Sequence, residues 1–155
     1  MVQMVDERAV RETVYRTCLA LDAENFPAFL DLCSPSLRYR ITAYSPEIRK
    51  EMIWLDKDFA GMKALLEMVP QHLKRVGTLK RHVSVYTMDF VSGSQLAELT
   101  SSFLVVHTDP EGQSKLFAAG MYYDRVEFGP DRPLLADRRV HLETRDLGIG
   151  SHIPL

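Results

Sequence analysis

HVSVYTMDFVSGSQLAELTSSFLVVHTDPEGQSKLFAAGMYYDRVEF, residues 82–128, is the stretch that decides the fold. Apolar and polar side chains alternate along it with a period of two, the spacing at which successive residues of a strand face opposite sides. Ser92-Gly93-Ser94 and Thr108-Asp109-Pro110-Glu111-Gly112 divide it into strands at 82–91, 95–107 and 114–128. Gly129-Pro130-Asp131-Arg132-Pro133 then leads into a fourth strand, LLADRRVHLETR at 134–145. Turns this short join antiparallel neighbours, so the four strands form a predicted meander, and parallel pairing among them would need crossovers for which no residues remain. Gly120, inside the third, is expected at a bulge or bend that lets the sheet coil.

Upstream the period is helical. Asp6 can cap a helix to about Glu24, with Val10, Val14, Cys18 and Leu21 on one face and the Glu7–Arg11 and Glu12–Arg16 pairs outside. Asn25-Phe26-Pro27 restarts the chain, and Phe29, Leu30, Leu32 and Cys33 predict a short second helix that Ser34-Pro35 ends. LRYRITAY, 37–44, reads as a strand. After SPEIRKEMIWL, Asp56 or Asp58 can cap a third helix whose buried stripe is Phe59, Met62, Leu65, Leu66 and Val69. Pro70 and Gly77 bracket its exit, and a last turn through His72 and Leu73 is compatible with the pattern. The expected class is α+β: about three N-terminal helices packed on a strongly curved, mixed but mainly antiparallel sheet.

At 155 residues and 17.7 kDa the chain is expected to be one domain, spanning 1–155, able to bury about 68–70% of its unfolded surface. With 46% hydrophobic and 26% charged residues it is neither a disordered nor a membrane composition. The formal charge of -2 argues against a nucleic-acid partner. No run of apolar residues is long enough to span a bilayer, and MVQMVDERAVRET turns charged before a signal-peptide core could form, so a cytoplasmic protein is expected. Cys18 and Cys33, each placed on the apolar side of a helix, fit reduced core thiols.

His72, His82, His107, His141 and His152 form no HxxxH or HxxEH pattern, and there is no CxxC, GxGxxG, Walker loop or GxSxG. No metal, cofactor or catalytic residue is therefore expected in this chain. The residues that could do acid–base work are Tyr15, Asp22, Asp31, Tyr39, Tyr44, His82, Tyr86, Tyr123 and Asp124, because a carboxylate or histidine in a dry hollow can be tuned toward neutral pH. The same residue types serve equally as satisfied core or interface groups. His72, Lys74, Arg75, Lys80, Arg81 and His82 form one basic run, a solvated loop or an ionic rim for an acidic partner. On the last strand Arg139, His141, Glu143 and Arg145 share one face, and Arg138, Val140 and Leu142 the other. The tail ends apolar, so Ile153 and Leu155 are expected to dock, on this domain or on a neighbouring subunit.

FLDLCSPSLRYRI, the Arg81-His82-Val83 strand start, GMYYDRV at 120–126, the Arg-bearing last strand and the Ile-Pro-Leu end occur in an order and spacing that resemble the small, beta subunits of aromatic-ring-hydroxylating dioxygenases. The resemblance covers roughly residues 6–155. It implies the cone-shaped fold of nuclear transport factor 2, scytalone dehydratase and ketosteroid isomerase. It also implies a non-catalytic beta subunit that trimerises and joins three alpha subunits in an alpha3beta3 hexamer. The Rieske [2Fe-2S] cluster and the mononuclear Fe(II) would then belong to the alpha subunit. Arg81-His82 and Tyr123-Asp124 would be fold and subunit-contact residues. Ser84, Val85 and Tyr86 stand where that family often has an asparagine, which leaves the aromatic substrate open. The alternatives are a freestanding isomerase, dehydratase or cyclase using an Asp or His on the same cone, and a ligand-binding scaffold without turnover.

Overall fold

The structure is a computed structural model describing residues 6–69, 76–148 and 153–155. Helix α1, Glu7–Asp22, starts where the Asp6 carboxylate accepts the Arg8 amide, and buries Val10, Val14, Cys18 and Leu21. Thr13 and Thr17 share that face, their hydroxyls donating back to the Ala9 and Val14 carbonyls. Asn25 caps α2, Phe26–Asp31, with Pro27 in its first turn. Strand β1, Cys33–Ser45, and strand β2, Lys50–Asp58, follow. Of the two cap candidates it is Asp58 that caps α3, Phe59–Met68, accepting the Gly61 amide at 2.8 Å. The meander is β3, Thr78–Phe90; β4, Leu96–Thr108; β5, Ser114–Phe128; and β6, Pro133–Leu142.

The six strands lie in one sheet in the order β2-β1-β6-β5-β4-β3. The meander pairs are antiparallel as expected. The mixed character comes from β1, which runs antiparallel to β2 but parallel to β6. Four register shifts leave one extra residue each, at Trp54, Tyr86, Phe117 and Ala136, and such bulges increase local twist and bend a sheet. Gly120 is not among them. A Cβ there would sit 2.1 Å from the His141 carbonyl oxygen, so this glycine lets β5 and β6 approach closely.

Beyond Gly120, three further sequence expectations are corrected. Cys33 opens β1 instead of closing a helix, although its buried, free thiol is as expected. Residues 50–58, read only as a lead-in to α3, form an edge strand. Within the basic run Lys80, Arg81 and His82 belong to β3 and not to a loop, whereas His72, Lys74 and Arg75, like His152, lie outside the described residues.

Helices α1 and α3 pack on one face of the curled sheet, α1 against β3 and β6, α3 against β1 and β2. The core between them holds Phe29, Leu37, Met62, Leu66, Leu99, Phe103, Val126, Leu135 and Val140. Edge strand β3 is protected by α1: the Asp22 carboxylate accepts the Arg81 amide at 3.2 Å and Tyr15 Oη meets the Val85 amide at 3.5 Å, occupying donors that would otherwise offer a pairing edge.

Candidate functional site

Parity along β5 and β6 sets what faces the hollow between sheet and helices. Gly120, Tyr122, Asp124 and Val126 point in, and in register with them on β6 stand Leu142, Val140, Arg138 and Leu135. Tyr123 and Arg139 take the outer face, where the guanidinium lies 4.4 Å over the ring. The inward Asp124 and Arg138 meet as a bidentate ion pair, Nε to Oδ1 at 2.8 Å and Nη2 to Oδ2 at 3.0 Å, with both side chains 0% exposed. The guanidinium also stacks 4.3 Å over Tyr122, which stacks on Phe103 at 4.4 Å between centroids, and lies 6.0 Å over Tyr39.

Burial decides the protonation states here. It pushes the Asp124 carboxyl above the ordinary carboxylate range, with Arg138 pulling the other way. Burial alone would lower the Arg138 guanidinium, but Asp124 more than offsets it. Tyr39 is pushed up to about 12 and Tyr122 well above its ordinary value, again by burial, so both phenols stay protonated donors. Burial likewise raises the Cys18 and Cys33 thiols, which makes them inert as nucleophiles.

A second ion pair closes the mouth. Arg81 Nη1 bonds Asp22 at 2.6 Å across the exit of α1, with the Arg81 side chain 1% exposed. Arg81 Nη2 donates to the Pro154 carbonyl and Tyr39 Oη to the backbone oxygen of Leu155. Leu155 is part of the core and Ile153 packs against it, so the apolar tail docks on its own domain. Four inner polar atoms, Arg138 Nη1, Arg81 Nε, Tyr122 Oη and Ser101 Oγ, are buried without a protein partner among the described residues.

Of the nine acid–base candidates, the structure brings Asp22, Tyr39 and Asp124 around this hollow. Tyr15, Asp31, Tyr44, His82, Tyr86 and Tyr123 are exposed. The His82 side chain has no hydrogen bond or ion pair among the described residues and borders a groove of about 530 Å³ on the outer face with Ser84, Ser102, Leu104, Met121 and Glu143. Sequence reasoning placed Arg138 on the apolar face of the last strand without finding its partner, and missed Tyr122 and the inward turn of Arg81. The signal for Tyr122 was present, since it shares the parity of Asp124 along β5.

The outer face is a charge lattice. Arg38 pairs with Asp56, Arg40 with Asp137, Arg139 with Glu51, and Arg125 with Glu98. Arg145, expected on the last strand, lies just beyond it and pairs with Glu47. Among the described residues no group of three or more His, Cys, Asp or Glu is placed to hold a metal ion, and no helix is long and apolar enough to cross a membrane.

Known proteins resemble this chain in sequence and in fold. The SnoaL-like domain matches residues 2–139. The chain is 34% identical to the methanesulfonate monooxygenase hydroxylase beta subunit of Methylosulfonomonas methylovora, over 95% of this chain and 86% of that one. It is 30% identical to the 2-aminobenzenesulfonate 2,3-dioxygenase beta subunit of an Alcaligenes species, over 97% and 100%. The fold matches the beta subunit of a candidate aromatic-ring-hydroxylating dioxygenase from Novosphingobium aromaticivorans, with a TM-score of 0.80, 15% identity and 96% of each chain covered. It also matches the benzoate 1,2-dioxygenase beta subunit of Burkholderia mallei, with a TM-score of 0.68, 13% identity and coverage of 92% and 93%.

Proposed function

We propose, from the premise that this chain belongs to the SnoaL-like domain family and within it to the oxygenase beta subunits, that it is the non-catalytic beta subunit of a Rieske-type oxygenase. The whole chain, 1–155, acts as one domain whose work is assembly. It trimerises and holds three alpha subunits in register, and the [2Fe-2S] cluster and mononuclear iron belong to those alpha subunits.

The observation that carries this reading is the state of the hollow. An acid–base enzyme on this fold needs a carboxylate or histidine within hydrogen-bond reach of substrate. Here the inward carboxylate, Asp124, has both oxygens bonded to Arg138 and no exposed surface. Asp22 is engaged by Arg81, and the mouth between them is closed by the chain's own Pro154 and Leu155. The outer face offers what assembly requires, a lattice of both charge signs around exposed Tyr86, Leu104 and Tyr123.

The two curated relatives' names share a sulfonate, one on an aromatic ring and one on a methyl group. The substrate class of the assembly is therefore an organic sulfonate or aromatic acid, which widens the aromatic expectation. Co-expression with the alpha subunit of the same organism tests the reading. A complex of equal alpha and beta numbers that hydroxylates benzenesulfonate or benzoate, with alpha subunit alone failing to assemble, is the expected result. An alpha subunit fully assembled and active without this chain would refute it.

A further inference from the structure

We infer that the C-terminal tripeptide Ile153-Pro154-Leu155 is a plug seated in a ligand site, and that the site beneath it is built for a small organic oxyanion. The inference concerns the isolated chain and does not rest on the beta-subunit reading.

The donors around the seat make the case. Tyr39 Oη and Arg81 Nη2 are both spent on tail backbone oxygens, those of Leu155 and Pro154. Next to them Arg138 Nη1, Arg81 Nε and Tyr122 Oη are buried with no partner among the described residues. Arg138, Tyr122 and Tyr39 are contiguous, the Arg138 guanidinium lying over the Tyr122 ring at 4.3 Å and over the Tyr39 ring at 6.0 Å, and Arg81 reaches the same tail through the Pro154 oxygen. Buried polar atoms are almost always satisfied, so several unsatisfied donors in one place call for a guest. Both phenols are held protonated by burial, and the carboxylates of Asp22 and Asp124 are each engaged by an arginine.

The lining therefore presents guanidinium N–H groups that can only donate, beside hydroxyls that can do either, while its carboxylates are already engaged. A guest must bring the acceptors, and its body must be apolar to replace Leu155, which is 2% exposed. A ring or short alkyl chain carrying a carboxylate or sulfonate meets both demands. A cationic amine fails the first demand, bringing donors only and facing two guanidinium groups. The tail satisfies the same rule with two backbone oxygens and an isobutyl group, which is why it fits the seat.

The test uses the chain with residues 153–155 deleted, and as a second variant Leu155→Gly in the full chain. The probe is benzenesulfonate, with benzylammonium as a control of similar size and opposite charge. Titration calorimetry should give benzenesulfonate binding at least about tenfold tighter in the deletion variant than in the full chain, a difference of about 1.4 kcal/mol. Benzylammonium should not bind, and an acetyl-Ile-Pro-Leu peptide should displace the probe. If the deletion variant is unfolded by circular dichroism, the same titration on Leu155→Gly decides. A folded variant that binds neither probe nor peptide overturns the inference. Equal binding of benzylammonium overturns the ligand class. Failure of both variants to fold makes the tail an inseparable part of the core, which also overturns it.

Discussion

The buried pair at the centre of the cone gives the sharpest test of this structure. Replacing Asp124 by alanine leaves the Arg138 guanidinium with no counter-charge, in a place where its side chain is 0% exposed. Only the faces of Tyr122 and Tyr39 and the dipoles around it remain. Breaking one side of a buried pair costs about 3–5 kcal/mol, because the survivor's desolvation is uncompensated. Unfolding entropy of about 2.1 cal/mol/K per residue gives about 0.33 kcal/mol/K for 155 residues, so the midpoint should fall by about 9–15 °C. Removing both charges is a different perturbation. Asp124→Leu with Arg138→Met fills similar space with apolar groups and leaves no orphan, so its stability should lie within about 1–2 kcal/mol of the parent. Urea unfolding of the parent, D124A and the double variant closes the comparison. A loss below about 1 kcal/mol in D124A, or a double variant as weak as the single one, would refute the account of the pair as a mutually dependent unit.

Gly120→Ala forces a Cβ to within 2.1 Å of the His141 carbonyl oxygen. It should cost about 2–3 kcal/mol by parting β5 from β6, read as a midpoint drop in thermal unfolding, and an unchanged midpoint would contradict the close approach. The Glu51 carboxyl is held below its ordinary value of 4.5, first by the Thr42 hydroxyl and then by Arg139 and His141. A depressed folded pKa contributes stability that is present above the unfolded value and lost as pH falls through the folded one. Glu51→Gln should therefore lower the midpoint by only about 1 °C at neutral pH, since the pair is largely exposed and screened, and the gap should close as pH is taken below 4.5. His82→Ala removes an exposed side chain without a partner among the described residues, so isolated-chain stability should stay within about 0.5 kcal/mol. Its effect belongs to the yield of the assembled complex, measured by size exclusion, with turnover per assembled complex unchanged.

Much of the architecture was legible because its elements obey a single period. Asp6 and Asn25 cap the helices where the residue pattern placed them, and the turns at Gly93 and Gly112, both at positive φ, separate the strands that alternation defined. The β2 strand was illegible for a physical reason. It is an edge strand with mostly exposed residues and a bulge at Trp54, so KEMIWLDKD carries no clean alternation, and charged ends of that kind also suit a helix lead-in. The site was partly legible. Asp124 stood out as a carboxylate among aromatics, but its partner is an arginine on the next strand, 14 residues away in sequence, and only register makes them neighbours. Arg81 was hidden by its company: Lys80 and His82 do face outward, and a run of cations masks the single member that turns into the core.

The parallel pairing of β1 with β6 has a consequence for how the chain is made. Thr42 lies beside His141, 99 residues later, so β1 leaves the ribosome with β2 on one side and nothing on the other. At about 5–20 residues per second, it waits about 5–20 s for the strand that completes it. During that interval the unpaired edge of β1 is the most exposed template for a wrong partner, and the meander must be synthesised before β6 can reach it. Slow synthesis through residues 78–142 would lengthen the exposure. Synonymous codon changes in that stretch should therefore alter soluble yield without altering the finished protein.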